Sequence, residues 1–410
     1  MSEGSKPVRI GLLGRGTVGA AFAELVAERA DAVEAATGRR PELAGTLTRS
    51  EGDFGEILER SELIVELIGG VDPARAYVLD ALRAGRSVVT ANKQLLAQHG
   101  DELFEVAREA GAQLRFEAAV AGAIPIVRTI QESFGAIEID KVFGIVNGTT
   151  NFILSEMAAS GAAYEDALAR AQQLGYAEAD PSDDIGGADA AAKMAILARL
   201  AFHTPVTLDQ VPYEGIEGVK PDDLAYAKEL GLSLKLLGVA ERRQGGISVR
   251  VFPCFLYGGH PLAPVGGPFN AVMVEAAAIT EVTMSGPGAG GVETASAVLG
   301  DVVSILAGEA PVHEARERLP LVTDVSSSFY LHLEVADEPG VLATIARLLG
   351  DSEISVKSVV QRGIGDDARL VMVVHECLES SFAAALEEIG ALSELRSPPR
   401  SIRVIEEEFV

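Results

Sequence analysis

Cysteine is nearly absent from this chain. Its 410 residues hold two, Cys254 and Cys377. Two thiols so far apart make no disulfide framework, and they point to a reducing cytoplasm. No Cys/His cluster has zinc spacing. Long apolar runs are missing too. No stretch reaches the roughly 18 uncharged apolar residues of a membrane span. The N-terminus, "MSEGSKPVRIGLLG", lacks the apolar core of a signal peptide. Basic charge is scarce: 34 Lys and Arg face 60 Asp and Glu, for a net charge of -26. Such a surface repels nucleic-acid phosphates and anionic lipid, so neither is expected as a partner. A small basic pocket around an anionic cofactor remains compatible with it.

Core-forming residues are plentiful, with 48% hydrophobic and 23% charged. The length suits two or three domains. "VRIGLLG" (8–14) is a short apolar strand that runs into Gly14-x-Gly16-x-x-Gly19 and then an amphipathic helix. Strand, glycine turn and helix in this order form a dinucleotide-binding fingerprint, because glycine lets the backbone approach a pyrophosphate. The helix N-terminus supplies free N–H groups. Further strands ("ELAGTL", "ELIVELI", "SVVTA", "QLRFEAAV") alternate with helices, which predicts a parallel doubly wound sheet. The second strand ends in Thr48, Arg49 and Ser50, and Arg15 lies inside the glycine turn. An NAD-selecting site usually offers an acid there; arginine and hydroxyls suit the 2′-phosphate of NADP. Lys93, in "TANK", falls near the ligand edge of the sheet. From position alone it is either a site residue or a solvated helix-start lysine.

"NGTTNFI" (147–153) reads as a capped helix start. "GYAEADPSDDIGGADAAAKMAI" (175–196) places five carboxylates ahead of an apolar helix holding one lysine, Lys193. Asp189 and Lys193 are four apart and share a face. Desolvation disfavours an ammonium and a nearby carboxylate favours it, a balance that suits acid/base chemistry. Asp180 and Asp183 are expected only to cap and solvate the loop. A calcium loop is ruled out: counted from Asp180, the glycine position holds Ile185 and the bidentate-acid position Ala191. "LLGVAERR" and "ISVRVFPCFLY" predict antiparallel strands with one covered face. "TMSGPGAGGVETASAVLGDVVSILAG" (283–308) predicts a second glycine turn and a helix returning to the first domain.

Taken together, "GRGTVG", "TANK", "EAAVAGAIPI", "NGTTNFI", the acidic segment and "SGPGAGGVETA" resemble the homoserine dehydrogenases over essentially the whole chain. The acidic segment ending in lysine is the most diagnostic element. The resemblance implies interconversion of L-aspartate 4-semialdehyde and L-homoserine with NADP, or NAD, on the route to threonine, isoleucine and methionine. By motif position Lys193 matches the acid/base lysine, Asp189 the acid beside it, and Lys93 a lysine close to cofactor and substrate. Glu178 matches a ligand of the substrate amino group, and Asp184 lies in the same acidic segment. Gly14, Arg15, Gly16, Thr17, Val18, Gly19, Arg49, Ala91, Lys93 and Gly288 are the expected cofactor contacts. Glu117 and the carbonyls of Val120, Gly122 and Ile124 resemble the family's loop for sodium or potassium.

"ADEPG" followed by "VLATIARLL", inside a strand-helix-strand-strand-helix-strand pattern, resembles an ACT domain. The expected architecture is therefore α/β. A Rossmann-type domain (1–135) is completed by a return helix at about 288–318. An α+β catalytic and dimerisation domain (136–287) and a ferredoxin-like ACT domain (327–410) follow. Feedback inhibition by threonine is the expected role of the ACT domain, with a purely dimerising module that binds no ligand as the alternative, and a homodimer or homotetramer is the expected assembly. Two competing readings are a semialdehyde dehydrogenase acting through a cysteine thioester and a non-catalytic cofactor sensor.

Overall fold

The computed structural model describes residues 7–308, 318–363, 365 and 368–405. The first unit alternates strictly: β1 (Val8–Leu13), α1 (Thr17–Thr37), β2 (Pro41–Leu47), α2 (Phe54–Arg60), β3 (Leu63–Glu66), α3 (Ala74–Arg83), β4 (Ser87–Thr90), α4 (Lys93–Ala110) and β5 (Leu114–Arg115). Its five strands are parallel, in the order β2-β1-β3-β4-β5. β1, β3 and β4 are buried almost throughout, as a sheet covered on both faces requires. β5 stops after two residues, although "QLRFEAAV" reads as a full strand. At Glu117–Ala119 the chain instead turns into a short 3-10 segment, where the Glu117 amide donates to the distant Asp301 and its carboxylate accepts from Val127 N–H.

After a short helix, α5 (Ile126–Arg128), the chain crosses to a second sheet. It runs β6 (Lys141–Ile145), α6 (Gly148–Ser160), α7 (Tyr164–Gln173), α8 (Ser182–Ile185), α9 (Ala188–Phe202), α10 (Pro221–Glu229), β7 (Leu232–Arg243), β8 (Gly246–Tyr257), β9 (Phe269–Ala276) and β10 (Thr280–Pro287). Helix α9 lies against β6, β7 and β8 on one side and α4 on the other, so nearly every side chain on it is buried. β7 and β8 are buried on both faces, not on one as their alternation suggests. Segment 258–265 folds over the second face, where Leu262 and Ala263 pack on Phe143, Leu237 and Phe252.

Helix α11 (Gly291–Ala307) then returns to α1, with Val298, Val302 and Leu306 against Phe22 and Val26. The expected extension of this helix beyond residue 308 lies outside the described residues. The last unit is β11 (Ser326–Glu334), α12 (Val341–Asp351), β12 (Val356–Arg362), β13 (Arg369–Leu378), α13 (Glu379–Gly390) and β14 (Arg400–Ile405). Its strand order β14-β11-β13-β12 is that of a ferredoxin-like sheet with α12 and α13 on one face. It is not detached. β14 runs parallel to β8, which fuses it with the second sheet into one of nine strands. Asp223 of α10, 1% exposed, bonds His332 and Arg400 across that joint. No described helix is long and apolar enough to cross a membrane.

Candidate active site

The site forms where the carboxyl ends of the parallel strands meet α6 and α9. Asp189 begins α9, and the approach to it is a left-handed residue, Gly187 (φ 93°). Lys193 follows one turn later, its Nζ 2.7 Å from Asp189 Oδ2 and donating to the Val146 carbonyl, also at 2.7 Å. The other carboxylate oxygen, Oδ1, lies 2.8 Å from Nζ of Lys93 at the start of α4. One buried carboxylate thus holds two ammonium groups. Burial alone would push Asp189 upward; the charges of Lys193 and Lys93, with their hydrogen bonds, overturn that and keep it well below the usual carboxylate range. Burial works against the charge on Lys93, yet Asp189, Asp184 and Asp183 raise its pKa above the ordinary value.

Asn147 ties this cluster to α6. Its Oδ1 accepts from Thr150 N–H at 2.9 Å and caps the helix, while its Nδ2 donates to Asp189 Oδ2 (2.8 Å) and Asp184 Oδ1 (2.7 Å). Thr149 Oγ1 lies 2.7 Å from Tyr176 O and 3.1 Å from Asp184 Oδ2, and its single hydroxyl proton is shared between these two acceptors. The structure therefore joins Lys93, Asp184, Asp189 and Lys193, and adds Asn147 and Thr149. The sequence accounts for much of "NGTTNFI" by capping; nothing local in those letters shows that one amide serves both a helix and two acids. Glu178 lies on an exposed turn, and among the described residues no hydrogen bond of its carboxylate joins it to the cluster. Asp183 is exposed, and Asp180 accepts from Ser182 N–H and hydroxyl, so it caps the loop as expected.

The glycine turn follows β1, at the same carboxyl end of the parallel sheet from which Lys93 follows β4. Gly14 is left-handed (φ 97°), and a Cβ there would lie 2.5 Å from the Leu67 carbonyl; one at Gly19 would lie 2.2 Å from the Gly14 carbonyl. Only glycine fits either place. No side chain caps the N-terminus of α1, so its first amides are open to a pyrophosphate. Arg15, Gly16, Thr17 and Arg49 are exposed there, and Val18 and Ala91 are half-buried. Glu66, fully buried at the end of β3, was not singled out in the sequence. It accepts from the amides of Ile68 and Gly69 and the hydroxyl of Thr90, shaping the loop over the strand ends.

In the 117–124 turn, the Glu117 carboxylate accepts from the amides of Val127 and Arg128, and its own N–H donates to Asp301. Burial and the adjacent Asp301 push it up to about 7. Ala121 and Gly122 are left-handed in succession, and Gly122 packs on Gly288 at the end of β10. The Ile124 carbonyl accepts from Ile126 N–H. Among the described residues no group of three His, Cys, Asp or Glu side chains gathers as for a metal ion. A cation here would rest chiefly on backbone oxygens. Burial raises Cys254 to about 12 and Cys377 to about 11, the opposite of the lowered pKa that activates a nucleophilic thiol.

A family model for homoserine dehydrogenase matches residues 125–303, and one for the NAD binding domain of homoserine dehydrogenase matches 14–117. The chain belongs to the homoserine dehydrogenase family. It is a nicotinamide-dependent oxidoreductase with a C-terminal ACT domain, whose family model matches residues 330–394. Homoserine dehydrogenase of Corynebacterium glutamicum is 44% identical, with 94% of this chain and 92% of that protein covered. That of Mycobacterium tuberculosis is 42% identical over 98% and 99% of the two chains. The crystal structure of the Thiobacillus denitrificans homoserine dehydrogenase superposes with a TM-score of 0.94 at 38% identity, covering 98% of this chain and 99% of that one. A hyperthermophilic archaeal homoserine dehydrogenase in complex with NADPH superposes at 0.63 with 28% identity, covering 73% of this chain and 97% of that one.

Proposed function

We propose that this homoserine dehydrogenase reversibly reduces L-aspartate 4-semialdehyde to L-homoserine, with NADP preferred, on the route to threonine, methionine and isoleucine. The observation that carries the reading is the single carboxylate of Asp189 held between Lys93 and Lys193 at the strand ends. When bound, the nicotinamide supplies or takes the hydride. Asp189 and the Val146 carbonyl engage two of the three Lys193 N–H donors. The third is left for the substrate oxygen: it stabilises charge growing on an aldehyde oxygen and delivers the proton. In the other direction the neutral amine takes the proton from the hydroxyl. Lys93 steadies Asp189 from the cofactor side. Asp184 and Glu178 receive the substrate ammonium.

Gly14–Gly19 and the uncapped start of α1 would hold the cofactor pyrophosphate, and Ala91 and Gly288 would contact its nicotinamide half. Arg15 and Arg49 receive the 2′-phosphate. Sodium or potassium sits in the 117–124 turn, where the buried Glu117 carboxylate and the Val120, Gly122 and Ile124 carbonyls supply hard oxygen donors. The domains divide at about 135, 287 and 327. The enzyme works as a cytoplasmic homodimer or homotetramer, and the ACT domain carries feedback inhibition by threonine.

An assay of L-homoserine oxidation at alkaline pH, following the absorbance of reduced NADP, tests the reading. Turnover supports it. NADP binding without turnover returns the chain to a cofactor sensor. For the cation, potassium chloride should raise the melting temperature above that in tetramethylammonium chloride, and Glu117→Gln should erase the difference; an equal response in both proteins ends the assignment.

A further inference from the structure

Asn270, on β9, is fully buried, yet neither atom of its side-chain amide has a hydrogen-bond partner among the described residues. A buried amide left unpaired lowers stability, and an apolar side chain of the same shape would return that loss. Packing alone therefore does not account for an asparagine here. Its surroundings do. β9 lies between β6 and β10. On one side Ala271 pairs with Ile145, the last residue of β6, and the next carbonyl, that of Val146, accepts from Lys193. On the other side Asn270 itself pairs with Gly286 of β10, two residues before Gly288.

The amide packs directly on Gly288: a Cβ there would overlap its Cγ, Oδ1 and Nδ2. Gly122 packs on the same residue, where a Cβ would lie 2.6 Å from the Gly288 backbone, and Ala123 N–H donates to the Pro287 carbonyl. Three residues on, a Cβ at Gly291 would lie 3.0 Å from Thr17 Cγ2, at the start of α1. Segment 288–291 is thus a strap. It leaves Asn270 on the sheet that anchors Lys193 and reaches the helix start that would hold the pyrophosphate. Three of its four residues are glycine and none is buried, so it can shift with little side chain to repack. A Cβ at Gly148, the first residue of α6, would lie 3.6 Å from Asn270 Oδ1, so the amide also borders the helix whose cap holds Asp189.

We propose that Asn270 is a positioning residue for hydride transfer. It seats the 288–291 strap, and through Gly288 the nicotinamide half of the cofactor, at the distance from Lys193 that the transfer needs. When the strap settles on the cofactor, its backbone groups supply the bonds that the Asn270 amide lacks. The inference rests on the reading that Gly288 borders the nicotinamide. It adds no contact between Asn270 and substrate: the side chain has no exposed surface and acts through the strap.

The test uses the full-length protein and compares wild type with Asn270→Leu, an apolar isostere, and Asn270→Thr, which keeps a donor and an acceptor. The readouts are the melting temperature without cofactor, the NADPH Kd by fluorescence, and kinetics with L-homoserine and with its form deuterated at the hydroxyl-bearing carbon. Asn270→Leu should melt no lower than wild type. Its Kd should rise about 3–10-fold, the loss of one hydrogen bond formed on binding. Its kcat should fall by about tenfold or more with a larger isotope effect, and Asn270→Thr should recover part of both. A lower melting temperature for Asn270→Leu without cofactor would mean that the amide is already paired in the folded chain, which overturns the proposal. Wild-type Kd, kcat and isotope effect in that variant would overturn it too. Should Asn270→Leu fail to fold, Asn270→Thr decides: a raised Kd and a larger isotope effect support the role, and wild-type values end it. If wild type binds NADPH but does not oxidise homoserine, the proposed reaction falls, while the Kd and melting comparisons still decide Asn270. Binding of neither NADPH nor NADH by wild type ends both.

Discussion

Lys193 and Asp189 stand one turn apart on α9, with Nζ and Oδ2 separated by 2.7 Å, and that same carboxylate reaches Lys93 through its other oxygen. An ion pair at this spacing on a helix surface contributes a few tenths of a kcal/mol. Here Asp189 is 6% exposed, so its removal strands two ammonium groups beside each other. Asp189→Asn should cost about 2–3 kcal/mol, less than a fully buried pair because Lys93 is partly in water. It should also lower kcat by roughly 10²–10⁴, the range of a lost acid/base arrangement, while NADP affinity is kept. Lys193→Ala should lose turnover to the same degree. Stopped-flow cofactor binding and steady-state kinetics check both; a kcat within twofold of wild type would remove Lys193 from the chemistry.

Asn147 separates stability from catalysis. Its Oδ1 caps α6, and its Nδ2 holds Asp184 and Asp189. Serine also caps a helix but cannot reach both acids. Asn147→Ser should therefore keep the melting temperature close to wild type and lower kcat about tenfold or more. Asn147→Ala should lose activity and about 1 kcal/mol of stability. If the two variants lose activity only in proportion to their stability, the amide has no part in the site.

Much of this arrangement was legible in the sequence because it is local. Periodicity and glycine spacing marked β1, the turn at Gly14–Gly19, α1 and α9, and the Asp189–Lys193 spacing set their common face. What was not legible depends on distant segments. The letters of β8 alternate as if one face were wet, yet segment 258–265 covers that face. Strand β14 reads as the end of a separate module, yet it pairs with β8 and fuses two sheets. Lys93 could be placed near the strand ends but not beside Asp189, because α4 meets α9 only through tertiary packing. Glu66 looked like another strand residue; its role comes from the amides of a loop that follows it.

Cofactor choice should turn on Arg49. It is exposed just past β2, in a turn where Thr48 Oγ1 accepts from the amides of Ser50 and Glu51. Asp53, the acid that follows the turn, is committed to capping α2 through Glu56 N–H. A hydrogen bond between charged groups contributes about 1.5–3 kcal/mol, so losing one to the 2′-phosphate lowers affinity roughly 10–100-fold. Arg49→Glu should lower kcat/KM for NADP by that factor and leave NAD unchanged or improved. Measurement of kcat/KM with both cofactors decides it, and an unchanged ratio would move recognition of the 2′-phosphate away from Arg49.

His260 should set part of the acid limb of stability. The residue is 4% exposed, its ring edge-on to Phe143 and Tyr257. Its Nδ1 accepts from Leu262 N–H at 3.1 Å, so that nitrogen carries no proton in the folded chain. Burial pushes the imidazole down to about 4. An unfolded chain takes up the proton near 6.5, the ordinary value. As pH falls below that point the unfolded state binds a proton that the folded state refuses. Stability from this group is therefore complete above about 6.5 and is lost as pH falls through the folded value, to a limit of about 3 kcal/mol. His260→Asn keeps an acceptor for Leu262 and cannot titrate, so denaturation between pH 7 and pH 4.5 should show a shallower decline than wild type. Parallel declines would mean that His260 is already protonated in the folded protein, contrary to its hydrogen bond.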